Sequence, residues 1–433
     1  METSRTVGGR LRRSGRLVRW LAAAGATAMT TLALAGEPMT MGAGPAEAST
    51  AAPAAMAAAP APAPAPAERW QPADVAALLE EIDAAPGEGL DAAPYGGDAI
   101  RREMASGQGG AVLDALADAA ALRLAGDYLN GRITDRAGFD WHIERTDADP
   151  ARLQAGLRQA LAAGQVRPWL RSLLPADPRY AALREALAAT PPADAGRRDR
   201  LAANMERWRW LPRDLGADHI YVNVPSYTLD LVDDGKPVSS YTVVVGAPAT
   251  PTPQIAMAAS SVVVNPWWNV PASIIRSSRL RPGAVNPARG YEFYPVGGGR
   301  YAVRQRPGPG NALGRIKIDM PNAHAIYLHD TPAKAYFDKP SRAFSHGCIR
   351  VKDIDRLAEE MVRLDHGRTA DIERGLAGRT TTTVKLDTAR PVWLVYFTAQ
   401  AGPDGKVAML EDPYNRDSRL IARLNGPMRL ASR

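Results

Sequence analysis

The segment Ala51–Ala67, AAPAAMAAAPAPAPAPA, sets the first limit on what this chain can fold into. Proline lacks an amide hydrogen and fixes φ, so alternating Ala-Pro cannot hold a helix and favours extended polyproline II. At ~3.1 Å per residue, its seventeen residues reach roughly 50 Å. The run therefore separates a short leader from the body of the 433-residue chain. Ahead of it, Arg5, Arg10, Arg12, Arg13, Arg16 and Arg19 form a basic stretch, Leu21–Gly36 is uncharged and Ala-rich, and Ala46-Glu47-Ala48 offers a small-x-small cleavage site. That order predicts a signal peptide over 1–48, a spacer over 49–69, and export to the periplasm or cell envelope. The apolar run is short for a bilayer span of ~20 residues, so membrane contact is expected only through an uncleaved leader.

The leader holds six Arg against three acids, leaving 47 basic and 43 acidic residues for the rest. So mild an excess, without a Lys/Arg-rich run, argues against nucleic acid as a partner. A body that is 45% hydrophobic across the chain supports a real core, and ~150 residues per domain suggests two or three domains. From 70 to 190 the pattern is helical: Leu113, Leu116, Ala120, Leu124 and Tyr128 recur at steps of three and four. Leu153, Leu157 and Leu161 repeat this, with Gly164 as C-cap. No cluster of nucleophiles or metal ligands appears there, which predicts a scaffold. Ala189–Ala202, polar and Pro-containing, reads as a boundary.

Beyond it the pattern turns to strands: His219–Val224, Tyr227–Val232, an Asp233-Asp234-Gly235 turn, Val238–Val245, Ser261–Val264, Tyr301–Arg304, Ile316–Asp319, Ala325–Leu328 and Val392–Phe397. Ile354, Leu357, Met361 and Leu364 mark one clear helix. Residues 266–301, with Trp267, Trp268, Tyr291 and a Gly-rich stretch, read as a mobile flap over a groove. The fold class is α+β: a helical scaffold over 70–190, then a mostly-β domain over 200–425 with that capping segment.

Cys348 is the only cysteine, so no intramolecular disulfide can form. It stands in Ser345-His346-Gly347-Cys348-Ile349-Arg350, with His329 nineteen residues upstream. A thiol of pKa ~8.5 is a weak nucleophile at neutral pH and needs a base or a positive neighbour. His329 or His346 can be that base, Arg350 adds positive charge, and a helix starting near Lys352 would favour an anion. Gly347 allows close backbone approach and can free amides for an oxyanion hole. A buried structural Cys is the bland alternative, but polar, Gly-containing flanks and an unpaired exported thiol favour use. Zinc held by His329, Asp330, His346 and Cys348 lacks the usual ligand gap, and a papain-like site lacks its downstream His.

Ile326-Tyr327-Leu328-His329-Asp330-Thr331-Pro332 with Ser345-His346-Gly347-Cys348-Ile349-Arg350-Val351 resembles the active-site pair of the L,D-transpeptidase (YkuD-type) catalytic domain. Asn204–Pro212, Asn265-Pro266-Trp267 through Pro271, Pro307–Gly314 and Arg179–Leu187 resemble the YcbB-like subfamily. The resemblance implies a mostly-β core with a capped groove and no metal or organic cofactor. It implies that Cys348 attacks a peptidoglycan tetrapeptide stem at the carbonyl between diaminopimelate and D-alanine. The thioester would then pass to the side-chain amine of a second stem, giving a diaminopimelate–diaminopimelate cross-link. By the same carry-over, His329 is the general base, oriented by the backbone carbonyl of Asp330. Tyr327 and the amides of Gly347 and Cys348 surround the oxyanion, and Ser345, His346 and Arg350 shape the pocket, with Arg350 facing the substrate carboxylate. Carbapenems are the expected inhibitors. The separate peptidoglycan-binding module of many relatives is missing, since about twenty residues between Leu187 and Asn204–Pro212 are too few for it. Two further functions compete: an L,D-carboxypeptidase or endopeptidase using water as acceptor, and a non-catalytic cell-wall binding protein.

Overall fold

A computed structural model describes residues 69–107, 109–145, 150–283, 285 and 287–426. The leader at 1–48 and all of the 49–69 spacer but Arg69 lie outside the described residues. The helical region forms α1 (Pro72–Ala84), α2 (Gly97–Ser106), α3 (Ala111–Asn130), α4 (Pro150–Ala163), α5 (Val166–Ser172) and α6 (Pro178–Ala189). The stripes face inward as their spacing requires: Ala120, Leu124 and Tyr128 of α3, and Leu153, Leu157 and Leu161 of α4, are buried. Gly164, at φ +62°, ends α4 and donates its N–H to Leu161.

Ala189–Ala202 is not an irregular linker. The Asp194 carboxylate accepts the Arg197 N–H and starts a sixteen-residue helix, α7 (Ala195–Trp210). Its first turns are polar because they face solvent, which is what disguised them as a linker. Leu201, Met205, Trp208 and Trp210 then enter the apolar core of α1–α6. The Asn204–Pro212 motif is thus a joint rather than part of the strand domain. Asn204 Nδ2 donates to Thr398 Oγ1 at 2.9 Å, and the Thr398 N–H donates to Asn204 Oδ1 at 2.8 Å. Arg207 meets Asp417 at 2.7 Å. Glu206 and Arg209 pair at 2.9 Å with both side chains fully buried, and Glu206 also accepts from Trp210 and from the Ile133 N–H.

The strands are β1 (Trp141–His142), β2 (His219–Asn223), β3 (Thr228–Asp233), β4 (Lys236–Gly246), β5 (Gln254–Val264), β6 (Trp268–Asn269), β7 (Tyr291–Pro295) and β8 (Tyr301–Gln305). They continue with β9 (Ile316–Asp319), β10 (Leu328–His329), β11 (Ala343–Ser345), β12 (Ile349–Val351) and β13 (Thr382–Val395). Ten strands make the main sheet, in the order β1-β5-β13-β2-β3-β4-β12-β10-β9, with β11 on β4. Because β9 also pairs with β5, eight of them close a circuit around one core. Helix α9 (Ile354–Leu364) packs on that core through Ile354, Leu357, Met361 and its neighbours. Two later helices, α10 (Ala370–Ala377) and α11 (Asp417–Asn425), were not anticipated.

Residues 266–301 are not an irregular flap. They carry α8 (Ala272–Ser277) and join β8 in a three-stranded sheet, β6-β8-β7. This cap has its own small core of Trp268, Val270, Val303 and Leu313, while Trp267 stays exposed. Its two roots are tied together by the Asn311 amide, which donates to the Pro266 carbonyl at 2.9 Å.

Candidate active site

Strand register assembles the site. Strands β10 and β12 are parallel neighbours, with Leu328 opposite Ile349 and His329 opposite Arg350. Side chains alternate faces along a strand. Leu328 and Ile349 point into the barrel core, both with no exposure. Tyr327, His329, Cys348 and Arg350 therefore share the opposite face. On the far side of β10, antiparallel β9 places Lys317 opposite His329, also on that face. The predicted strand Ala325–Leu328 is shorter than expected and shifted: Ala325 has φ +53°, and His329 lies within the strand rather than after it.

His329 is buried, and its Nδ1 meets the backbone carbonyl of Asp330 at 2.5 Å. That contact makes Nδ1 the protonated nitrogen and leaves Nε2 with a lone pair. The Asp330 carboxylate is engaged elsewhere, accepting the Arg315 N–H at 2.9 Å and pairing with Lys334. Gly314 sits against it, where an added Cβ would come within 2.2 Å of Oδ2. The imidazole is thus aimed by backbone, and that backbone is held by the cap's exit loop.

Charge at the site differs from expectation. Burial pushes the Cys348 thiol pKa up; hydrogen bonds with Tyr327, then the Lys317 and Arg350 charges, draw it down by less, and the net shift is upward. Burial, with the Arg350 charge second, pulls His329 down to about 3. Both shifts favour a neutral thiol and a neutral imidazole on this face, not a preformed thiolate. The anticipated helix N-terminus gives no help, because β12 intervenes before α9 begins at Ile354. At ~3.3 Å per residue, three strand residues put about 10 Å between them, beyond the reach of the first turn.

The sulfur is half-buried and contacts the Ala325 carbonyl at 3.6 Å. Gly347 has φ +114°, a conformation side chains rarely adopt. Its amide is not free for an oxyanion: it donates to Ser345 Oγ at 3.1 Å, while that hydroxyl donates to the Cys348 carbonyl at 2.5 Å. Ser345 is buried and staples the loop rather than lining a pocket; His346 is exposed. Tyr327 packs against both the barrel core and the cap core, with its ring 5.5 Å from that of His329. Arg350 lies 5.6 Å over the Tyr336 ring, and its Nε is buried without an acceptor. Among the described residues, no group of three or more His, Cys, Asp or Glu is arranged to hold a metal ion.

Residues 217–385 match the L,D-transpeptidase catalytic domain family, and residues 68–187 match the scaffold domain family. The chain carries an L,D-transpeptidase catalytic domain. The domain's match ends at Lys385, inside β13, so the barrel extends past it. A curated relative from Haemophilus influenzae named "Putative L,D-transpeptidase" is 33% identical over 247 residues. That alignment takes in 52% of this chain and 50% of the relative, so the chain spans about half the length of the curated relative it matches. Among solved structures, an L,D-transpeptidase from Mycobacterium smegmatis is 13% identical over 41% of this chain and 58% of its own, at a TM-score of 0.23. L,D-transpeptidase 3 from Mycobacterium tuberculosis, in complex with a faropenem-derived adduct, is 16% identical over 41% and 60%, at a TM-score of 0.21. Overlap this loose does not by itself define a fold.

Three residues of this L,D-transpeptidase domain escaped the sequence reading. Lys317 holds its ammonium 4.8 Å over the Tyr327 ring and pairs with Asp319 at 2.7 Å. Trp268 of the cap buries its indole against Tyr327. Gly314 wedges Asp330. Period-two alternation in Ile316–Asp319 put Lys317 on the outer face, but only pairing could say which neighbour it would meet.

Proposed function

We propose that this protein is a peptidoglycan L,D-transpeptidase that works through a Cys348 thioester and forms diaminopimelate–diaminopimelate cross-links. One observation carries the reading: register places a thiol, an imidazole, a phenol and a guanidinium on one face of two adjacent strands. In the first half-reaction the sulfur adds to the donor carbonyl while its proton passes to His329 Nε2. Starting from a neutral pair, proton transfer accompanies attack instead of preceding it. The Cys348 N–H and the Tyr327 hydroxyl face the developing oxyanion. The C–N bond then breaks, and the leaving D-alanine amine takes the proton from His329. In the second, the amine of another stem attacks the thioester, the C–S bond breaks, and the amine's proton returns through His329 to sulfur. The unsatisfied Arg350 Nε and the nearby Lys317 suit the donor's terminal carboxylate. The basic, apolar, small-residue order of 1–48 supports export to the periplasm, where acyl transfer needs no ATP. A nucleophilic thiol beside a base also suits acylation by carbapenems.

The test compares wild type with Cys348→Ala on defined tetrapeptide muropeptides, with products read by mass. Wild type should release D-alanine and form dimer, and Cys348→Ala neither. A carbapenem mass adduct surviving in Cys348→Ala would refute the nucleophile; tripeptide without dimer would favour the carboxypeptidase reading instead.

A further inference from the structure

Two adjacent tryptophans of the cap face opposite ways. Trp268 is buried and packs with Tyr327, on the side of the site. Trp267, one residue earlier, points outward and is 38% exposed. Strand register shows what shares its face. Arg304 of β8 lies opposite Asn269 of β6 and Glu292 of β7, and Tyr294 is two residues beyond Glu292. Arg306 continues that face, donating its N–H to the Gly290 carbonyl at 2.9 Å. The group is already organised. The Arg304 guanidinium stands 4.1 Å over the Trp267 ring and 4.8 Å over the Tyr294 ring, and it pairs with Glu292 at 2.8 Å. The Tyr294 hydroxyl donates to the same carboxylate at 2.5 Å. These contacts hold both rings in place, yet Tyr294 also stays 39% exposed. Charge gathers on the same cap. Residues 266–315 contain eight arginines against one glutamate, with no lysine or aspartate, an excess of seven that equals the formal +7 of the whole chain. All of these arginines but Arg304 are exposed, and Arg304 holds the one glutamate.

We propose that the outer face of the cap is a docking surface for the peptidoglycan mesh, with its rings taking sugar faces and its arginines taking stem carboxylates. The inference rests on the transpeptidase reading above. A glycan strand offers flat C–H faces that stack on aromatic rings, and its peptide stems carry free carboxylates that pair with guanidinium groups. Trp, Tyr and Arg are the side chains that most often dominate binding energy at interfaces. Rings fixed in advance lose little freedom when a ligand arrives. Helix α6 runs almost directly into α7, so no separate binding module stands between scaffold and barrel. The cap can do that work, and its Trp268 ties it to Tyr327, so polymer held at Trp267 brings its stems to the site. An anionic lipid surface would satisfy the arginines but offers no sugar ring to Trp267 and Tyr294.

The test sediments the whole protein, carrying Cys348→Ala so that turnover does not alter the polymer, with purified sacculi. Trp267→Ala and the double variant Arg300→Glu with Arg306→Glu change exposed side chains, so the fold should persist, checked by circular dichroism. Each should weaken binding to sacculi about tenfold. Added salt should weaken the parent more than the charge-reversed variant. With Cys348 intact, both variants should turn over soluble tetrapeptide muropeptides within about twofold of wild type, because the outer face touches no reacting atom. Unchanged sedimentation, soluble turnover falling in step with binding, or equal binding to phosphatidylglycerol vesicles would overturn the docking surface. Wild type that is inert on soluble muropeptides, yet sediments with sacculi through Trp267, would sink the transpeptidase reading and leave this surface standing.

Discussion

At His329 two effects act in the same direction. Burial disfavours the imidazolium, and the Arg350 guanidinium repels it, so the folded pKa falls to about 3. A general base works only when deprotonated, so this one stays competent far below the ~6.5 of a free imidazole. The kcat/KM profile should be flat from pH 5 to 8, and an inflection near 6.5 would contradict a buried neutral base. His329→Ala should lower kcat/KM by roughly 10²–10⁴-fold, whereas the exposed His346→Ala should cost much less; equal losses would unseat His329. Gly314 acts one step further out. Its φ of +61° and the 2.2 Å approach to Asp330 leave no room for a methyl group. Gly314→Ala should displace Asp330 and hence the carbonyl that aims the imidazole. The loss should fall on kcat, by roughly ten- to a hundredfold, with little change in KM. A kcat at the wild-type level would show that the imidazole is aimed by something else.

Among the elements, the cap and α7 departed furthest from the sequence reading. Aromatics beside glycines in 266–301 looked like exposed, irregular chain. They form a sheet because Trp268, Val270, Val303 and Leu313 bury one another, a contact set that pairs residues more than thirty positions apart. Helix α7 hid behind its solvent-facing first turns. Deeper in the helix, Glu206 and Arg209 are fully buried and satisfied by each other, by Trp210 and by Ile133. Removing one member of such a pair strands the other charge. Glu206→Ala should therefore destabilise the protein by about 3–5 kcal/mol in urea unfolding, and a loss under ~1 kcal/mol would mean the pair is solvated.

Across the whole molecule, the helical and β regions are not independent. One apolar cluster runs from Val75 and Leu124 in the scaffold through Trp208 to Tyr221, Phe397 and Leu420. Asn204–Thr398 and Arg207–Asp417 cross the same junction. An interface this apolar is expected to melt with its domains. Calorimetry should give one transition, coincident with the loss of near-UV circular dichroism; two resolved transitions would show that the scaffold folds alone.

The sequence by itself determined the local matters: the helical stripes, most strand positions, the turn at Asp233–Gly235, and the identity of the thiol, its upstream imidazole and the phenol and guanidinium beside them. These follow from side-chain periodicity and from residue chemistry, which are properties of short stretches. Only the tertiary structure decided that Lys317 opposes His329, that burial outweighs nearby positive charge at Cys348, and that Ser345 occupies the Gly347 amide. Those depend on strand register and on the removal of water, and neither exists until residues distant in the chain have packed together.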